Sequence, residues 1–343
     1  MELNYKSLMK HILPLILVIC FFTNCSKDDN VATKDYTYFY PTDEASITNA
    51  NIPGSTEVFD PKGIAISNEK LYVINGNVLE IFNALTLEHI KTIKEYTKGT
   101  TTIPLTSLTS VSVDNGRIYI GSTESRLFVF DEITNAGIST VGNGQWWQTF
   151  VHVFGVVAKD GLVFVKEKEN SIKVLDATQI TETSTWDLKP IAKLNTLKGY
   201  TEVYSLDVYG GNLVVAGRDA KSYLYYNIAN IKKNATSSLT TPIEPELVQF
   251  VDIKPIAVSF SKDWAVTSEN VGSVSYLKLY PKEEFIKMNY KAVLSASDIL
   301  GQNAFGTIVG TAQLDDRIFI SDNTNKKIRV IKLNKSTISE QNN

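Results

Sequence analysis

The chain has 343 residues, a formal net charge of −3, and 43% hydrophobic against 21% charged residues. That length fits one large domain or two small ones. A balance so close to neutral excludes the basic field that nucleic-acid binding requires, so no nucleic acid is expected as a partner.

The first element is N-terminal. Lys6 and Lys10 precede the apolar run ILPLILVICFF, Ile12 to Phe22. A basic start followed by so short an apolar run reads as a secretory signal rather than a permanent membrane span. The run meets FTNC, Phe22 to Cys25, and turns polar at once with SKDDN. This junction resembles a bacterial lipoprotein signal of the Bacteroidota type. Asn24 stands where the usual box has a small residue. Ser26, Lys27, Asp28 and Asp29 resemble the lysine-plus-acidic signal that sends such lipoproteins to the outer face of the outer membrane. The resemblance implies a signal peptide over 1–24, lipidation at Cys25, a polar tether over 25–35, and an outward-facing, lipid-anchored protein. The membrane is then a partner through Cys25, whose several acyl chains would give stable anchoring. The two cysteines are Cys20, inside the signal, and Cys25. The mature chain therefore has no disulfide, thiol nucleophile or thiolate metal site.

Six similar units follow, about every 45–50 residues. They begin at Pro61 (PKGIAISNEKLYVINGNVLEIFN), Leu108 (LTSVSVDNGRIYIGSTESRLFVFD), Val153 (VFGVVAKDGLVFVKEKENSIKVLD), Val203, Lys254 and Ile308. The second and third align without a gap, so that Tyr119 falls on Phe164 and Asp131 on Asp176. In each, an alternating strand reaches a turn such as Asn115-Gly116, Asp160-Gly161, Gly210-Gly211 or Asp315-Asp316. Such residues tolerate positive φ and predict a tight hairpin. An apolar-aromatic-apolar strand, a polar loop, a third strand and a weaker fourth, such as HIKTI at His89, complete the unit. Four antiparallel strands repeated at this period predict a propeller blade, so the fold class is all-β, a six-bladed β-propeller over 36–335.

One column supports this. Gly63, Ser110, Gly155, Ser205, Ala257 and Gly310 align on the first strands, as expected where innermost strands crowd around an axis. The sixth unit has three strands and then a polar tail, 336–343. An open ring would expose unpaired backbone, so an N-terminal strand, YTYFY at Tyr36 or STEVF at Ser55, is expected to close it. The units resemble the NHL and YVTN families of propeller repeats. That likeness implies the fold and leaves function open, because such scaffolds host binding proteins, enzymes and structural modules.

Catalytic signatures are missing: there is no HExxH, CxxC or GxSxG. His89 is expected on the surface of an outer strand. The strand starts carry Asp60, Ser107, His152, Glu202 and Thr307. Six-bladed calcium-dependent hydrolases use axial acids at such places, and calcium is the cofactor these acids could hold with Asn270 or Asn323; no cofactor is required by any motif. Asp207 puts a carboxylate where other inner strands have Ala65, Ser112 or Ser259, and is expected to be bonded to backbone or tunnel water. The remaining candidates lie in loops expected to share one face. They are Lys62, Trp146, Trp147, His152, Tyr200, Glu202, Arg218, Asp219, Asn270 and Asn323. Trp146, Trp147, His152, Tyr200, Glu202 and Arg218 form the expected ligand-binding set, with Arg218 and Asp219 expected to pair with each other or to be solvated. Loops on a rigid scaffold are the usual seat of binding, and aromatic faces suit sugars and peptides. The expected function is capture of a small-molecule, glycan or peptide ligand by a non-catalytic surface lipoprotein. By analogy with surface propellers that hand nutrients to TonB-dependent transporters, an outer-membrane transporter is a candidate partner. The alternative is a calcium-dependent hydrolase or lyase with an axial active site.

Overall fold

A computed structural model describes residues 33–341, apart from 146–148, 169–170, 198–204, 236–240, 253, 272–273, 288–291 and 296–304. Its chain forms six four-stranded antiparallel sheets arranged as the blades of one propeller. Blade 1 consists of Pro61–Ser67, Lys70–Asn75, Val78–Asn83 and His89–Ile93, from the axis outward. The next four blades repeat this order, with inner strands Leu108–Asp114, Val153–Lys159, Leu206–Tyr209 and Lys254–Phe260. The inner strand of blade 6 is Ile308–Leu314. A small ribbon, Glu95–Lys98 with Thr101–Pro104, joins blades 1 and 2.

The hairpins turn as their residues require. Asn68 and Glu69, Asn115 and Gly116, Asp160 and Gly161, and Gly210 and Gly211 all have positive φ, the geometry of the tight turn whose twist matches the flanking strands. A second turn ends the third strands of blades 1, 2 and 3. The side chains of Asn83, Asp131 and Asp176 each accept a hydrogen bond from an amide two residues on, the local bond that makes Asn and Asp good turn formers. The residue after each third strand of blades 1 to 5, and Leu333 within the longer third strand of blade 6, donates its amide to the hairpin turn of its own blade. Six equivalent bonds result: Ala84 to Glu69, Glu132 to Gly116, Ala177 to Gly161, Ile228 to Gly211, Lys282 to Asp263, and Leu333 to Asp316, at 2.7–3.0 Å.

The core is not one cluster but six, each wedged between two neighbouring blades. This explains the apolar-aromatic-apolar second strand. Successive residues of a strand point to opposite faces. Leu71 and Val73 pack toward blade 6, whereas Tyr72 and Ile74 pack toward blade 2. A strand buried on both faces reads as continuously apolar.

The small-residue column lies where crowding was expected. A Cβ added to Gly63 would stand 2.6 Å from the Cα of Ser110 and 2.9 Å from the Thr109 carbonyl. Neither backbone atom can yield as a flexible side chain could.

The ring is closed by the N-terminal strand Thr33–Ile47, which contains YTYFY and pairs with Lys327–Gln341 as the outer strand of blade 6. STEVF is not in a strand. Residues 336–341, expected to be a polar tail, are in register with 33–38, and the strand begins inside the expected tether. The apolar periodicity of the repeat stops at Leu333, but antiparallel pairing needs only a partner backbone, and Thr33–Tyr40 supply it. Arg317 secures this closure. Its guanidinium pairs with the Glu44 carboxylate and donates to the carbonyls of Ala84 and Leu85 in blade 1. One side chain thus joins the first strand, the last blade and the first blade.

Candidate functional site

The residues that lead into the inner strands share one face with the loops between second and third strands. The carbonyls of Asp60, Ser107, His152 and Thr307 accept amide bonds from Gly76, Thr123, Lys168 and Asn323 respectively. This equivalence establishes four of the five expected strand starts as one column; Glu202 lies outside the described residues. Ser107 and His152 hold positive φ, 52° and 51°. Non-glycine residues persist there only where their surroundings hold them. Ser107 donates its amide to Asn77 Oδ1 at 2.8 Å, and His152 donates its amide to Ser125 Oγ at 3.2 Å.

A buried polar column, absent from the sequence reading, fixes these lead-in segments. At the ends of the second strands stand Asn75, Ser122, Glu167 and Asp322, and two residues before the end of the blade 5 strand stands Glu269. Asn75 accepts from the amide of Asp60 at 2.7 Å, Glu167 from Val151 at 2.8 Å, and Asp322 from Gly306 at 3.1 Å. Ser122 donates to the Thr106 carbonyl. The acids are neutralised by third-strand cations: Glu167 by Lys173 at 2.8 Å, Glu269 by Lys278 at 2.6 Å, and Asp322 by Arg329 at 3.0 Å. Burial raises the Glu269 pKa, and the Lys278 bond and charge only partly oppose this. Aligning Glu167, Glu269 and Asp322 with Lys173, Lys278 and Arg329 was the sequence signal for this device.

Among the described residues, one cavity of about 630 Å³ lies at the hairpin-turn end of blades 3 and 4, lined by residues such as Asp160, Asp176 and Lys232, and two others open on the axis and on the face of the lead-in segments. The axial tunnel, about 280 Å³, is lined by inner-strand residues of every blade, including Ser112, Ser205, Asp207, Ser259 and Gln313. Beside its mouth on the face of the lead-in segments, between blades 6, 1 and 2, is a cavity of about 470 Å³. Lys62, Asn77, Ser107, Thr109, Thr123 and Asn323 give it its polar groups. The Lys62 ammonium donates to the Leu108 carbonyl at 3.2 Å, which uses one of its three protons.

The expected site residues fare differently. Trp146, Trp147, Tyr200 and Glu202 lie outside the described residues. His152 stands at its expected place leading into blade 3, half-buried, with Nδ1 bonded to the Thr123 carbonyl. Arg218 is exposed. Asp219 pairs with Lys254 at 3.4 Å rather than with Arg218; adjacent side chains diverge, whereas the blade 5 lysine faces it. The Asn270 backbone lies in the second strand of blade 5, opposite Lys254. His89 is not a surface histidine. Its Nε2 lies 2.8 Å from Glu80 Oε2 and its side chain is 12% exposed, because the acid it serves is buried in blade 1.

Two acids near the axis, Asp60 and Asp207, are engaged by the fold. Asp60 Oδ1 accepts from Asn323 Nδ2 at 3.0 Å and pairs with Lys326 at 2.5 Å. Burial works against its ionisation, but the bonds from Lys326 and Asn323 and the charges of Lys326 and Lys62 outweigh it and hold its pKa low. A carboxylate and amide bound to each other and to a lysine are poor calcium donors. Among the described residues no three His, Cys, Asp or Glu side chains gather as a metal site. Asp207 is placed as its chemistry required. Its oxygens accept from the amides of Val208 at 2.7 Å and Phe260 at 2.8 Å. Burial pushes its pKa up to about 6 against those bonds.

No protein-family model matches the chain, and no curated protein does. Among solved structures, the chain is similar to a chain of the crystal structure of the Mitotic Checkpoint Complex. The TM-score is 0.54 and the identity 11%, over 91% of this chain and 98% of that one. It is also similar to the computationally designed Ika8 protein, with a TM-score of 0.44 and 11% identity over 82% and 72% of the two chains. The first likeness shows the fold alone.

Proposed function

We propose that the chain is a lipid-anchored protein of the outer-membrane surface whose propeller captures an oxygen-rich ligand, a glycan carrying an acidic group, without transforming it. The observation that supports this most is the cavity of about 470 Å³ beside the tunnel mouth. Among the described residues its polar groups are hydroxyls, amides and one ammonium, that of Lys62, and the nearby Asp60 carboxylate is occupied by Lys326 and Asn323. Lys62, with two ammonium protons left over from its bond to Leu108, matches a carboxylate or sulfate, and the exposed Asn77 amide nitrogen matches a sugar hydroxyl, whereas the Asn323 amide and the Thr109 hydroxyl already donate within the protein. The polar column beneath the loops keeps these groups in place, which lowers the ordering cost of binding. Trp146 and Trp147 precede the same face in sequence and would supply stacking surfaces for sugar rings. An outer-membrane transporter that receives the captured ligand is the partner this reading suggests.

The hydrolase alternative asks Asp60 and Glu202 to hold calcium with Asn270 or Asn323; Asp60 is already held by Lys326 and Asn323, and Glu202 lies outside the described residues. The test is thermal unfolding of the protein against matched neutral and uronic-acid oligosaccharides. A ligand that binds only the folded state raises the melting temperature with its concentration. Stabilisation by acidic members above their neutral counterparts is expected. A flat response across the panel, or equal response to neutral sugars, would contradict the reading.

A further inference from the structure

The two strands that close blade 6 are longer than the blade. The third strand of that blade pairs with its second only through Lys332, yet it continues to Gln341. Beyond that point its partner is the N-terminal strand, with Thr33 opposite Gln341 and Tyr40 opposite Asn334. Eight residue pairs thus form a two-stranded ribbon outside the sheet, about 24 Å long at ~3.4 Å per residue.

The direction of the ribbon follows from the strand order. Lys327 follows the loop that carries Asn323, on the face of the 470 Å³ cavity. Leu333 donates to Asp316 in the hairpin turn at the opposite face. Continuing from Leu333, the ribbon leaves past the hairpin-turn face. Phe39 marks the point of exit, since its ring meets that of Trp264, the first residue after the blade 5 turn, edge to face at 4.8 Å. Thr33 therefore lies on the side of the molecule opposite the cavity, and Cys25 is eight residues before it in sequence. Eight residues reach at most about 28 Å.

The geometry points to the ribbon being a stand-off arm that turns the hairpin-turn face toward the membrane and the cavity face away from it. This rests on the lipid anchor at Cys25. A carboxylated ligand arriving from outside then meets Lys62 without passing under the ring. The partner surface is the lipid bilayer, and the ribbon and tether set its separation from the propeller.

Both ends of one strand can report on this. The cysteine count leaves only Cys20 and Cys25 in the natural sequence, so added cysteines can be labelled selectively in the processed chain. Ile133→Cys lies in an exposed turn at the hairpin-turn face, and Glu124→Cys in an exposed loop at the cavity face. The full chain would be produced in an outer-membrane host and purified into vesicles carrying an energy-acceptor lipid. The expected result is membrane association through a lipid-modified Cys25 peptide, seen by mass spectrometry, with energy transfer about twofold higher from Ile133→Cys than from Glu124→Cys, given sites ~20 Å apart along the axis. Membrane association with equal transfer, or higher transfer from Glu124→Cys, would overturn the stand-off arm and leave the anchor intact. A chain recovered only in the soluble fraction would overturn the anchor, and the arm with it.

Discussion

Asp207 and Ser112 occupy the same place on two inner strands and do the same work. Ser112 Oγ accepts the amide of Ala158 at 2.9 Å, and Asp207 Oδ2 accepts the amide of Phe260 at 2.8 Å. Each joins its inner strand to the next around the axis. The carboxylate differs in its response to pH. Its folded pKa, about 6, lies above the ordinary 3.8, so between these values the native state holds more protons than the unfolded one. Its contribution to stability is therefore largest at low pH and falls as pH rises through about 4 to 6, by up to about 3 kcal/mol. The unfolding free energy of the wild type minus that of Asp207→Ser should fall across this window and level off above it. A difference that stays constant from pH 4 to 7.5 would count against this assignment. The carboxylate was legible as an exception to the column; its two amide donors were not, because one of them comes from the next blade. Asp322 offers a second test. Removing it by Asp322→Ala leaves the 3%-exposed Arg329 without its buried partner, which should cost about 3–5 kcal/mol in denaturant unfolding. A loss below 1 kcal/mol would show the pair to be dispensable.

At the scale of strands, two elements decide whether the ring holds. Gly63→Val would drive side-chain atoms into the backbone of Ser110 and Thr109. Overpacking against backbone typically costs about 1–3 kcal/mol, and calorimetry should show a lowered melting temperature. Deleting 33–47 should do more, because blade 6 would lose its outer strand and Arg317 its Glu44 partner. The expected outcome is loss of the cooperative unfolding transition; a truncated chain that melts like the wild type would disprove closure by this strand. Blade repeats and closure were readable because they rest on local patterns: turn pairs, alternation and the need to satisfy an edge. The length of the closing strand was not. Residues 336–341 lack the apolar alternation of a sheet buried in a core, and their pairing with 33–38 depends on a partner some three hundred residues away in sequence.

For the whole molecule, the same logic explains which parts of the site could be foreseen. Lys62, Ser107 and Asn323 fall on the cavity face because their positions in the repeat dictate it. Asn77, Thr109 and Thr123 escaped notice because a cavity between blades 6, 1 and 2 is a product of ring closure, not of any one repeat. The aromatic candidates Trp146, Trp147 and Tyr200, with Glu202, stand outside the described residues, and Lys62 is the charged group that lines the cavity among the described ones. Lys62 also lowers the pKa of Asp60 through its charge, so its removal should change electrostatics at the mouth while leaving the six interblade cores untouched. The most direct measurement is calorimetric titration of the acidic oligosaccharide that stabilises the protein most, into wild type and Lys62→Met. Loss of one charge-assisted contact worth about 1.5–3 kcal/mol predicts roughly 10- to 150-fold weaker binding, while the free protein still unfolds cooperatively. Equal affinity in the two proteins would contradict the claim that this cavity is where the propeller holds its ligand.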